Sequence, residues 1–150
     1  MVTIKHNAKV QGGLEGYLSQ LARRFSGRPV VNVGFLEGAT YPGGQSVAEV
    51  AAYNEFGTRN MPPRPFFRRM IVDKSHEWGP AAANLLVSTN YDVHKTLMLV
   101  GEGIKGQLQQ SINDLTSPPL AQSTIDRKGF SKPLIDTSVM INSVDYEVKT

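Results

Sequence analysis

The chain has 150 residues, 40% of them hydrophobic and 19% charged, which excludes a highly charged disordered polymer and predicts one globular domain spanning residues 1–150. It contains no cysteine, so disulfides, thiolate zinc sites and cysteine nucleophiles are excluded together. Sixteen basic against thirteen acidic residues leave +3, too little by itself to announce nucleic-acid binding.

Val2 and Ile4 predict a short strand, and Gly12-Gly13 punctuates the chain after it. Leu14, Tyr17, Leu18, Leu21, Ala22 and Phe25 then recur at helical spacing, which predicts an amphipathic helix with all six on one face. Gly27 and Pro29 end it. Val30 to Leu36 reads as a strand with Val31, Val33 and Phe35 on one side, followed by a flexible glycine-rich loop from 37 to 45. Ser46-Val47-Ala48-Glu49 has the form of a capping box, so a helix is expected from Val47 that stops by Gly57. Three prolines between Thr58 and Pro65 forbid its continuation and predict a stiff, extended path.

Phe66, Phe67, Met70, Ile71 and Trp78 predict a further helix that Pro80 either kinks or breaks. Thr89 to Asp92 reads as a turn. Leu97, Val100, Gly101, Ile104, Leu108, Ser111 and Ile112 mark the next helix, with glycine allowing close approach of a neighbour. Residues 116–133 form a long loop with Pro118, Pro119 and Pro133. A short helical turn capped by Asp136 or Thr137 and a strand from Val144 to Val148 close the chain. The fold class expected is α+β, a small mixed or antiparallel sheet packed against amphipathic helices with long ordered loops. No apolar run has the length of a membrane span or an export segment, so the chain is expected to stay in the compartment where it is made.

Charge is unevenly distributed. Between Arg23 and Arg69 the arginines Arg23, Arg24, Arg28, Arg59, Arg64, Arg68 and Arg69 face only Glu37, Glu49 and Glu55. The tail from Leu134 is acidic, with Asp136, Asp145 and Glu147 against Lys149, which suggests attraction between opposite ends of neighbouring copies.

Catalytic motifs fail on geometry. Gly101 to Gly106 matches G-x-G-x-x-G, and Asp126 follows Gly106 at the distance a dinucleotide fingerprint needs. Yet the helical period runs straight through these glycines instead of turning from strand to helix, so close packing is the preferred reading. His6, His76 and His94 are dispersed without metal-ligand spacing, and Ser75-His76-Glu77 places neighbours in different directions on a helix. The expectation is a protein that is not an enzyme and needs neither cofactor nor metal. Arg64-Pro65-Phe66-Phe67-Arg68-Arg69 stands out instead. Its guanidinium groups suit phosphates or a partner's carboxylates, whereas the alternative is two phenylalanines plugging a core below solvated arginines.

Two blocks of residues carry a family resemblance. Val50-Ala51-Ala52-Tyr53-Asn54-Glu55-Phe56-Gly57-Thr58 with Pro62-Pro63-Arg64-Pro65-Phe66-Phe67-Arg68 is one, and the second runs from Gly103 through Pro118-Pro119-Leu120, Arg127-Lys128-Gly129 and Lys132-Pro133-Leu134-Ile135-Asp136-Thr137. Together they resemble the HK97 gp10-like family of tailed-bacteriophage neck and tail-completion proteins, close to the virion-morphogenesis proteins of Mu-like phages. Ser138 departs from the family pattern, which has glycine there.

The resemblance implies a structural virion protein made in the host bacterial cytoplasm that joins the DNA-filled head to the tail as part of a ring. The implied partners are copies of itself, head-closure or connector proteins, tail-terminator or tail-tube proteins, and genomic DNA contacted without regard to sequence. It points to Tyr53, Glu55, Phe56, Gly57, Arg64, Pro65, Phe66, Arg68, Asp136 and Thr137 as assembly residues, though Gly57 and Asp136 also suit a purely capping role. Arg59, Arg64, Arg68 and Arg69 are the candidates to face DNA in the channel. The loops at 37–45 and 116–133 would be ordered by neighbouring subunits. The alternative is a small basic adaptor acting non-specifically on duplex DNA.

Overall fold

A computed structural model describes residues 13–35, 37–115, 126 and 138–149. The expected strand at Val2–Lys5, the body of the 116–133 loop, Asp136 and Thr137 lie outside the described residues. In chain order the elements are α1 (Gly13–Phe25), β1 (Val30–Phe35), α2 (Val47–Phe56), α3 (Phe66–Ser88), α4 (Val93–Asp114), the short α5 (Val139–Asn142) and β2 (Val144–Lys149). The fold is α+β, and among the described residues its sheet has two antiparallel strands, with Val30 opposite Lys149 and Phe35 opposite Val144.

The long helix α4 is the centre of the packing. It lies against α3 on one side and against both strands and α5 on the other. Its Leu108 and Ile112 are fully buried and join Val47, Ala51, Phe66, Met70, Leu115, Met140 and Val144 in one core, so the predicted helical face is the face that packs. Polar contacts fix its register against α3: Trp78 Nε1 donates to Gln107 Oε1 at 2.8 Å, and Ser111 Oγ donates to the Phe66 carbonyl at 2.7 Å.

Gly101 explains one of the three motif glycines. A Cβ built there would stand 2.6 Å from Tyr146 Cδ2 and 2.8 Å from Val31 Cγ2, so the sheet rests directly on the helix backbone. Nothing lies within 4 Å of a Cβ at Gly103 or Gly106, whose absence of side chain is not required by packing.

Several expectations change. Of the kink or break expected at Pro80, the break does not occur: α3 runs unbroken to Ser88, with the proline on its exposed side. The turn after it places Asn90 and Tyr91 at φ 55° and 59°, and Asp92 caps α4 by accepting the Lys95 amide at 3.0 Å. The 37–45 loop is closed on itself. Tyr41 N donates to Gln45 O at 2.9 Å, Val47 N donates to Ala39 O at 3.0 Å, and Ala39 and Tyr41 pack on the core. The short α5 begins after Ser138, one residue beyond the expected caps, with Ser138 in the left-handed region at φ 60°. That conformation costs serine about 1 kcal/mol relative to glycine.

Helix α1 departs furthest from a packed amphipathic helix. None of its residues is fully buried, and Leu14 and Leu18 on the apolar face are 72% and 53% exposed. Arg24 ties it down by donating from Nη1 to the carbonyls of Asn90 and Tyr91 at 3.1 and 3.3 Å.

The two glycine environments make opposite predictions. Gly101→Ala is expected to lower stability by about 1–3 kcal/mol through overpacking. Gly103→Ala gains up to about 1 kcal/mol of helix propensity without a clash. Thermal unfolding of the two variants should therefore bracket the parent midpoint, and a Gly101→Ala protein as stable as the parent contradicts the packing account.

Candidate functional site

Eight of the ten sequence-predicted assembly residues meet at the elbow between α2 and α3. Helix α2 starts as expected, with Ser46 Oγ accepting the Glu49 amide at 3.4 Å. The reciprocal half of the capping box is replaced: the Glu49 carboxylate accepts the Tyr53 hydroxyl one turn along α2. That hydrogen bond, followed by the carboxylate's charge, holds the Tyr53 phenol above its ordinary pKa, so it remains a neutral donor.

At the other end of α2, Gly57 turns the chain with φ 76°. A Cβ there would lie 2.8 Å from Pro63 N and 2.9 Å from Met61 O, so both the dihedral and the space require glycine. Thr58 and Met61 exchange backbone hydrogen bonds across a tight turn, and the proline path returns along α2 until Arg64 N donates to Asn54 O at 2.6 Å.

Helix α3 then begins behind Pro65, which offers no side-chain cap. Its first amides are satisfied from the previous helix. The Glu55 carboxylate accepts Phe67 N at 2.9 Å through Oε2, and Arg68 N and Arg68 Nε at 3.1 and 2.8 Å through Oε1. Arg68 also donates from Nη2 to the Glu55 carbonyl at 3.0 Å. Glu55 is 5% exposed, so a buried anion is held by a helix N-terminus and a guanidinium at once. The same guanidinium stands 5.0 Å from the centre of the Phe56 ring.

The predicted site therefore divides by direction. Glu55, Gly57, Arg64 and Phe66 face inward and hold the elbow. Pro65 is half-buried, while Tyr53 and Phe56, the latter at 68% exposure, face outward, and Phe56 borders an apolar cleft of about 260 Å³ lined also by Phe35, Ala48, Ala51, Ala52 and Phe67.

The four arginines expected to face DNA do not form one patch. Arg64 is 5% exposed, and burial pushes its guanidinium below its ordinary pKa, so its assignment to a channel surface is corrected. Its side chain is drawn inward because the proline path folds back over the end of α2. Arg68 is occupied by Glu55, Arg59 is exposed at the tight turn, and Arg69 lines a separate groove with Asp73, Lys74 and Asp114. Two described acids of the tail are paired within the chain: Lys105 pairs with Asp145 at 3.2 Å, and Lys149 pairs with Glu147 at 2.9 Å. The amide of Tyr146, then Lys105, holds Asp145 below the ordinary carboxylate range.

Among the described residues no group of three or more metal-ligating side chains converges, and no helix is long and apolar enough to cross a membrane. Reading the chain residue by residue missed Glu55 as the cap of the following helix. The available signal was a Pro-Phe helix start with no capping residue before it.

Comparison of the chain with known protein families, with curated proteins and with solved structures yields no match.

Removal of the Glu55 carboxylate by Glu55→Ala is expected to cost about 3 kcal/mol, because it strands the amides of Phe67 and Arg68. Gly57→Ala should cost roughly 2 kcal/mol or more. Phe56→Ala, on the exposed side, should change stability by less than about 1 kcal/mol. Urea unfolding distinguishes them, and an Phe56→Ala loss equal to that of Glu55→Ala would contradict the division into inward and outward residues.

Proposed function

We propose that this chain is a structural virion protein of a tailed bacteriophage that joins the DNA-filled head to the tail as a subunit of a ring-shaped neck or tail-completion complex. The observation that carries the reading is the elbow. The residues of the first family-like block occur in the family's order, and here they build a rigid turn that presents Phe56 and Tyr53 on one side of α2. Exposed aromatics beside an apolar cleft suit a contact with another protein, where burial of such groups supplies most of the binding energy.

A head-to-tail contact of this kind is heterologous: the elbow of one copy meets a different surface on the next, and the ring closes when the rotation between neighbours divides a full turn. Helix α1 supplies a second apolar surface, through Leu14, Leu18 and Phe25. The partners in this reading are copies of the chain, a head-closure or connector protein on one face, and a tail-terminator or tail-tube protein on the other. The site of action is the neck of the virion.

Electron microscopy of particles from a phage genome carrying a stop codon in this gene, with complementation in trans as control, tests the reading. Full heads beside separate, finished tails are expected. Normal virions would overturn the neck role and favour the small DNA-binding adaptor, and empty heads would move the protein's action to an earlier step of head maturation.

A further inference from the structure

The corner where α1 ends and α4 begins holds a cleft of about 520 Å³ lined by Arg23, Arg24, Ser26, Gly27, Pro29, Asp92, Val93 and His94. Arg28 is exposed between the lining residues Gly27 and Pro29, and Lys95 is exposed next to His94. Asp92 is the acid in the lining, and its carboxylate is engaged in capping α4.

We infer that this corner is a binding site for the phosphodiester backbone of nucleic acid, contacted without regard to sequence. Three features carry the assignment. First, the guanidinium groups of Arg23 and Arg24 border one concavity, and a planar fork of N–H donors matches phosphate oxygens in pairs. Second, the site is pre-organised. Arg24 is pinned through Nη1 to the carbonyls of Asn90 and Tyr91, so α1 is tethered with its basic end over the cleft. Third, two described acids of the C-terminal strand, Asp145 and Glu147, are already paired with Lys105 and Lys149 of their own chain.

The inference deepens the ring reading, in which the chain meets DNA of any sequence, and it fails separately from it because its test uses the isolated protein. Fluorescence anisotropy with a 30-base-pair duplex of arbitrary sequence, titrated across a salt series, gives affinity and its salt dependence. The double variant Arg23→Gln/Arg28→Gln should bind at least about tenfold more weakly at low salt, with the slope of log affinity against log salt shallower by about 2. Arg23→Lys/Arg28→Lys should restore the slope, and Arg59→Gln/Arg69→Gln should stay within about twofold of the parent. Circular dichroism and thermal unfolding of each variant separate lost binding from lost folding.

No duplex binding by the parent, an unchanged slope in the glutamine double variant, or loss confined to Arg59→Gln/Arg69→Gln would each overturn the assignment. So would full displacement of the duplex by low-millimolar inorganic phosphate at constant ionic strength, which identifies a pocket for a single free anion. Loss of self-association with unchanged DNA binding would identify a protein contact instead and likewise overturn it.

Discussion

A carboxylate twelve residues upstream caps a helix that cannot cap itself. Pro65 precedes α3 without any side-chain acceptor, and the first amides of a 23-residue helix would otherwise be stranded near the core. Glu55 reaches them because Gly57 reverses the chain and because Arg64 N, bonded to Asn54 O, holds the returning strand against α2. Once α3 starts at that point, Phe66 falls into the core edge-on to Phe35, Met70 follows one turn later, and α4 can pack along α3. Arg68 then completes the coordination of the buried anion. Burial of one charge is tolerated because the helix N-terminus and the guanidinium together replace its lost water.

This arrangement separates two roles that sit side by side in the chain. Within Tyr53 to Gly57, positions 55 and 57 are consumed by the fold while positions 53 and 56 are left outside, as expected for residues three apart on one helical face. A dense run of special residues is thus mostly a record of how difficult the turn is to build. The difficulty has a consequence for function, since a turn fixed by a buried carboxylate, a required glycine and three prolines presents its exposed aromatics with little freedom to lose on binding.

Periodicity made the helices and strands legible, because the alternation of Val31, Val33 and Phe35 and the repeat from Leu97 to Ile112 are direct imprints of a buried face. It was blind to what covers such a face. The apolar stripe of α1 has the same period as that of α4, yet α4 is buried by α3 and the sheet while Leu14 and Leu18 stay in water. Between the kink and the break that Pro80 allows, the sequence did not choose; the helix continues through it at an exposed position. The capping role of Glu55 was out of reach for local rules, which look for an acceptor at the helix start itself and not in the preceding helix.

Charge was the least legible property, because a sum over sequence counts every ion as if it faced water. Of the arginine surplus between residues 23 and 69, Arg64 is inside, Arg68 is bound to Glu55 and Phe56, and Arg24 is anchored to backbone carbonyls. Of the acidic tail, Asp145 is paired with Lys105 and Glu147 with Lys149. A sum over the sequence therefore overstates the charge presented outward, whereas apolar groups of α1 and α2 stay exposed. Arg23, Arg28 and Lys95 stay exposed at the α1–α4 corner, beside a cleft lined by Arg23, Arg24, Asp92 and His94, while Arg59 and Arg69 are exposed elsewhere.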